Sequence, residues 1–489
     1  MTRTLTLLLL CGLLVAMPAR ADTNSALRYF EGELVIDKVG GMEACQRHIG
    51  STKDVQITWQ ENRKGGEPAI TGWIVFAGGA PGKLEGATPA ELTVATNYHD
   101  AHLNTPTTLR LQLADGKASG SLRETPATLG FGETMCFWRE ARLTLTEKTG
   151  STDVARRTRE HAAWYTAHRH ESRGDYHARY HQFAEAAAAY DQAIAVVDGV
   201  LPETRTYFKS LLNFAARHHE DAKGYEQAAR RYRRLADISA RQSELGVEDP
   251  ALYHGWVRLA TYLHFAKHND EAITVIERAA RLEGKAGKVD LDDRLLRLRL
   301  QGTIYVAAGM FDKAQASMNE EVALATAEAG PNDLRTFKAR AQSARVFLPM
   351  KDHARFEVAF EPLAREITAR YGEAHEFSRE SNRLLGLHHQ GKGMPEKARP
   401  WLEAAMRGYV ALAESTAQAL QKDEDARYVL ALLLDGYIKQ GIIAKNYVDR
   451  VKAGQASLED LPFREPMRGA SGVRPVELNP GDWDRLLKE

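Results

Sequence analysis

Side chains that commonly do chemistry are present in this chain, but not at the spacings that chemistry uses. Two histidine pairs stand side by side, His218-His219 in "HHEDAK" and His388-His389 in "LHHQ". Neighbours on a helix point roughly 100° apart, because one turn takes 3.6 residues. Neither pair has the spacing by which a zincin helix presents two histidines on one face. Both read as surface or groove histidines, and no metal ligand is assigned. "GGAPGK", Gly78 to Lys83, falls short of a phosphate loop. Ala77 stands where its first glycine belongs, and Leu84 follows the lysine in place of Ser or Thr, so a glycine-rich hairpin is expected. No nucleophile elbow occurs. Catalytic residues and cofactors are therefore expected to be absent.

The three cysteines divide by compartment. "MTRTLTLLLLCGLLVAMPARAD" has a basic start, an apolar run from Leu7 to Met17 and the small-x-small triplet Ala19-Arg20-Ala21. That is the pattern of a secretory signal, with cleavage expected after Ala21. Leu10 before Cys11 is not the small residue a lipoprotein site would need. No later stretch is long and apolar enough to span a bilayer. The expected location is outside the cytoplasm, the periplasm first and the secreted medium otherwise. There the remaining pair, Cys45 and Cys136, is most simply a disulfide. Mass spectrometry of the exported chain without reductant should find it two hydrogens lighter; two alkylatable thiols in fresh native protein would refute the pairing.

The 65 basic and 65 acidic residues cancel, so no overall field draws nucleic acid or an anionic membrane. A chain of 489 residues exceeds what one core usually serves. Two periods divide it. From Leu27 to about Lys148 apolar residues alternate: Val55, Ile57 and Trp59; Leu109, Leu111 and Leu113; Ala141, Leu143 and Leu145. Asp115-Gly116 is a strong hairpin dipeptide, and Gly32–Lys38, Ile70–Ala77 and Leu92–Thr96 read as further strands. Six to eight antiparallel strands with one wet face give a small sandwich or barrel over 22–150. The proposed disulfide would staple its ends.

After Asp153 the spacing becomes helical, and one pattern recurs. Ala186, Ala228, Ala272, Ala314 and Ala398 follow a turn at intervals of 42, 44, 42 and 84. The missing copy falls at Phe356. Twelve residues earlier stand Gly174, Ala216, Ala260, Gly302, Ala344 and Gly386; four later stand Tyr190, Tyr232, Ile276, Met318, Phe360 and Leu402. Seven later come Ala193, Leu235, Ala279, Glu321, Leu363 and Ala405, with Glu321 the exception. Small residues mark where two antiparallel helices approach closely, and large ones fill the space beyond. No single pair buries its apolar face, so the copies must stack.

This small-then-large code over about 170–410 resembles the tetratricopeptide repeat. The interval near 42 resembles the longer variant of kinesin light chains, with Ile367 to Ala405 the most similar copy. The resemblance implies a right-handed α-helical solenoid of about six helix pairs over 155–455, whose first helices line a groove. One turn either side of each small residue this places Asn213 and Arg217, Arg258 and Thr261, Arg299 and Thr303, Gln342 and Arg345, and Arg383. Guanidinium forks at such intervals suit carboxylates or peptide carbonyls. Glu171 and Asp175 would make the first pair acidic. The 456–489 tail, with four prolines, reads as extended, and Trp483, Leu486 and Leu487 could dock.

The expected function is an exported adaptor, scaffold or assembly factor binding another protein or an extended peptide. The rival expectations are an envelope enzyme with its chemistry in the β domain, or a glycan binder using Trp59, Trp73 and Trp138.

Overall fold

The computed structural model describes residues 27–463 apart from 41–49, 51, 65–66, 77–81, 97–106, 125–136, 149–150, 288, 414–422, 454 and 456–460. The cleavage site, Cys45 and Cys136, most of the "GGAPGK" loop and the tail tryptophan lie outside the described residues. The chain forms two compact units, Met1–Leu282 and Glu283–Glu489.

The first unit opens with eight antiparallel strands: β1 (Leu27–Gly40), β2 (Thr52–Lys64), β3 (Glu67–Phe76), β4 (Gly82–Thr88), β5 (Glu91–Thr96), β6 (Thr107–Ala114), β7 (Lys117–Glu124) and β8 (Phe137–Glu147). Each pairs with its neighbour in sequence, and β1 pairs with β8 from Phe30↔Glu147 to Gly40↔Phe137, so the sheet closes into a barrel. The alternation puts Phe30, Leu34, Val55, Ile57, Trp59, Ile74, Leu109 and Leu143 inside. Asp115 and Gly116 both take positive φ, 50° and 72°, as the tight β6–β7 hairpin requires.

Closure depends on inward-facing glycines. A Cβ on Gly72 would sit 2.6 Å from the Trp59 Cα, and Gly32 and Gly120 occupy equally close approaches to β8 and β6. Glycines at such positions let strands coil enough to meet edge to edge.

One expectation fails here. The outer face is not uniformly wet, because helix α1 (Ser151–Arg179) lies across it. Thr58 is fully buried, and its hydroxyl is 3.4 Å from His161 Nδ1, while Gln56 Oε1 is 3.2 Å from the other ring nitrogen. Trp73 packs on Tyr165 with ring centroids 4.8 Å apart. Burial, then the nearby Arg157 and Arg205, push the His161 pKa down to about 3. The helix's later residues, through Ala167 and Gly174, belong instead to the helical core.

Helices α1 and α2 (Phe183–Val197), α3 (Thr206–Asp221) and α4 (Tyr225–Gln242), α5 (Tyr253–Phe265) and α6 (Asn269–Glu283) form three stacked pairs. In the second unit follow α7 (Leu291–Ala307) with α8 (Phe311–Glu328), α9 (Leu334–Arg345) with α10 (His353–Tyr371), and α11 (Glu376–Gly391) with α12 (Pro395–Ala413). Among the described residues two further helices follow, α13 (Glu424–Lys439) and the short α14 (Tyr447–Lys452). Every small position falls on a first helix and every anchor on a second. The close approach is literal: a Cβ on Gly302 would lie 2.8 Å from Met318 Cγ, and one on Gly174 2.6 Å from the Tyr190 ring. The large residue thus fills the space above its own partner's small one and, at Tyr190 and Tyr232, the gap to the next pair as well.

A feature not used to find the register confirms it. Five residues before each anchor, His181, Lys223, Lys267, Gly309, Lys351 and Gly393 all have φ between 57° and 74°. The next amide donates back to the carbonyl of His177, His219, Leu263, Tyr305, Phe347 or His389 in every copy. This is the Schellman stop of a helix, repeated six times. It recurs at Gly441, where Ile442 N donates to Tyr437 O. α13 is therefore a seventh first helix with Leu434 at the small position, packed in one core with α12.

Candidate functional site

The first helices of unit one carry a row of aromatic, carboxylate and arginine side chains built to one plan. Tyr190 and Tyr232 occupy equivalent second-helix positions, and the next first helix lays two residues on each, one turn apart. Phe214 and His218 meet Tyr190 at 5.6 and 5.3 Å between ring centroids. The Arg258 guanidinium lies 5.5 Å over the Tyr232 ring, with Tyr262 stacked on it at 5.0 Å. Carboxylates are held by tyrosine hydroxyls: Tyr190 donates to Asp175 at 2.5 Å and Tyr207 to Glu171 at 3.2 Å. Burial first, then these carboxylates, keep the tyrosines protonated far above the usual range. Phe214, Phe265, Tyr176 and Tyr180 remain exposed. Aromatic groups interleaved with arginine form the composition of interface hot spots.

The predicted groove residues divide into three groups. Arg217 and Arg345 are exposed and make no ion pair among the described residues, and Asn213 is half-buried beside Phe214. Arg258 is exposed but seated on Tyr232. Arg299 and Arg383 do not project freely. Arg299 binds Glu321 through Nε at 2.9 Å and Nη2 at 2.6 Å, and Arg383 pairs with Asp425 of α13 at 3.3 Å. Glu321 is fully buried; the residue that broke the apolar pattern is what holds Arg299. Asp425 lies on the seventh first helix, which lacks a small residue by which the sequence pattern would reveal it. Thr261 and Thr303 turn their hydroxyls back to the Val257 and Arg299 carbonyls of their own helices.

The histidine pairs behave differently from each other. His218 packs on Tyr190 while His219 bonds Asp191 at 2.9 Å, a divergent arrangement as expected. His388 and His389 do not separate so cleanly: a ligand atom from each, and one from Glu357, all lie within 4.8 Å of one another. Sequence spacing could not show this, because Glu357 arrives from α10.

A hollow of about 410 Å³ in unit two was also not foreseen. It is lined by Arg365, Thr368, Asn382, Pro400 and Trp401. In the barrel, Trp59 is fully buried and stacked on Phe30 at 4.6 Å, and Trp73 is covered by Tyr165. Trp59 is therefore not presented to a glycan, Trp73 is half-buried, and the Trp138 side chain lies outside the described residues.

Fold and face together define a β-barrel joined to an α-helical repeat protein of paired helices. No protein-family model and no curated protein matches the chain. Among solved structures it has slight, partial likenesses. One is to tetratricopeptide-like repeats of a kinesin light chain from Podosopora anserina, at 18% identity over 42% of this chain and 97% of that chain, with a TM-score of 0.36. Another is to BtubC from P. vanneervenii, at 17% identity over 52% and 94%, with a TM-score of 0.35. A third is to apo RapI, at 13% over 57% and 77%, with a TM-score of 0.37. These likenesses carry no functional conclusion; the repeat reading stands on the chain's own packing.

Proposed function

We propose that this chain is an exported adaptor whose first-helix face binds an extended segment of a partner protein. The carrying observation is the exposed set Phe214, Arg217 and Phe265 beside Arg258 on successive first helices. Apolar anchors supply burial, and the arginines supply orientation toward carboxylates or peptide carbonyls. The barrel, with α1 packed across it, serves as a second contact or an anchor. A partner segment with acidic residues or a free C-terminal carboxylate fits this chemistry.

The test starts from a partner captured from envelope extract with the mature chain and identified. Its binding segment, made as a labelled peptide, is then titrated at low salt against wild type and the Arg217→Ala, Arg258→Ala double variant. Exposed charge contacts contribute about 0.2–1 kcal/mol each, so a loss of roughly three- to tenfold is expected, with wild-type binding weakening further as salt is added. Equal affinity for the two proteins would leave the arginines as solvated surface. Recovery of the chain only from the cytoplasmic fraction would refute export.

A further inference from the structure

Between α10 and α11 the chain gathers two carboxylates and two imidazoles. Glu357 and Glu361 stand one turn apart on α10, and His388 and His389 are adjacent on α11. His388 Nε2 is 2.9 Å from Glu357 Oε1, and His389 Nε2 is 3.1 Å from Glu361 Oε1. His389 is fully buried, and its Nδ1 has no hydrogen-bond partner. The His388 side chain is 5% exposed and lies against Phe356, ring centroids 4.8 Å apart. Two polar rings sunk into a helix interface, one with an unsatisfied nitrogen, are costly unless something binds them.

We propose that Glu357, His388 and His389, with a water as fourth ligand and Glu361 holding the His389 ring through Nε2, form a binding site for a divalent first-row transition ion, zinc foremost. Imidazole nitrogen and carboxylate oxygen are the donors such ions take, and zinc prefers four of them in a tetrahedron. With bonds of about 2.0–2.1 Å, tetrahedral ligand atoms stand about 3.3 Å apart. The 2.9 Å pair and the 4.8 Å limit on the three-residue group bracket that separation.

The surrounding charges set the terms. Lys392 Nζ lies 2.6 Å from Glu357 Oε1, Arg365 3.7 Å from Glu361 Oε2, and the His353 ring 5.2 Å from that of His388. Lys392 occupies the carboxylate an ion would use, so binding must displace it. The bound ion would tie the fifth helix pair to the sixth, a cross-link rather than a catalytic centre.

The test uses the full mature chain without a polyhistidine tag, stripped with chelator and titrated calorimetrically with zinc alone. Cobalt(II) serves as a spectroscopic probe, since a four-coordinate site gives intense visible bands. Wild type is expected to take up one zinc per chain and to develop the cobalt bands. Glu357→Gln and His388→Gln should each weaken binding at least tenfold, and Lys392→Met should tighten it severalfold by removing the competitor. Circular dichroism confirms that each variant is folded. Lack of stoichiometric uptake by wild type, or uptake unchanged in the folded Glu357→Gln and His388→Gln variants, would overturn the site. In the latter case the zinc would be held by histidines elsewhere.

Discussion

Arg299→Ala is expected to cost about 3 kcal/mol or more, because it strands a carboxylate where no water reaches it. Glu321 is fully buried, and both of Arg299's short bonds go to its Oε1, while Oε2 has no partner. Breaking a buried ion pair from one side typically costs about 3–5 kcal/mol; replacing both members by apolar groups is often neutral or stabilising. The partly exposed Arg299 side chain, at 35%, argues for the lower end. Arg299→Ala combined with Glu321→Leu should therefore return to within about 1 kcal/mol of wild type, since leucine is what Leu235 and Leu363 supply at the same repeat position.

The deficit should depend on pH in a definite direction. Burial raises the Glu321 pKa in the folded state, and Arg299 opposes the rise. A raised carboxyl contributes stability that is full below the unfolded pKa, about 4.3 for glutamate, and is lost as pH rises through the folded value. Removing Arg299 lifts the folded value further. The gap between Arg299→Ala and wild type should then be small near about pH 4 and widen toward neutrality. Urea unfolding at both pH values measures it. A single variant as stable as wild type at neutral pH would mean that Glu321 is reached by solvent.

The same residue shows where sequence reading succeeded and where it stopped. The repeat register was legible at all six small and all six large positions, because each is dictated by one local contact. Phe356 signalled a real change: α9 ends at Arg345, where the other first helices run five residues past the small one, and i→i+3 bonds at Val346, Phe347 and Leu348 tighten its end. The barrel strands were legible from alternation, though β4 hid in a glycine-rich stretch. Its closure was not read, because Gly32, Gly72 and Gly120 signify strand coiling only once their inward direction is known. The groove arginines were legible as a row but not in their partners. Arg299 is claimed by a residue twenty-two positions on and Arg383 by one forty-two on. The Glu357–His388–His389 group is likewise made by packing, from segments no motif connects. Unpaired Arg217 and ion-paired Arg299 look alike in a sequence; only the helix behind them distinguishes the two.

Gly386→Leu should be the most damaging substitution at the small positions, with a cost of about 3 kcal/mol, the upper end of what overpacking usually inflicts. A Cβ alone at Gly386 would sit 2.5 Å from Leu402 Cγ and 3.3 Å from the Leu402 backbone nitrogen. Leu402 is branched at the point of contact and itself 2% exposed, so it cannot swing aside. Gly302→Leu should cost less, roughly 1–3 kcal/mol, because it meets Met318, an unbranched side chain that adapts. Gly391, five residues further along α11, is the internal control. A Cβ there meets nothing within 4 Å and its φ is not positive, so Gly391→Ala should be neutral or stabilise by up to about 1 kcal/mol through the lost entropy of the unfolded chain. In a stacked array each pair is held only by its neighbours. Hydrogen exchange in Gly386→Leu should therefore quicken in α10 and α13 as well as in α11 and α12, while the barrel strands keep their protection. If Gly386→Leu and Gly391→Ala melt alike, the small positions do not mark helix crossings, and the repeat register fails with them.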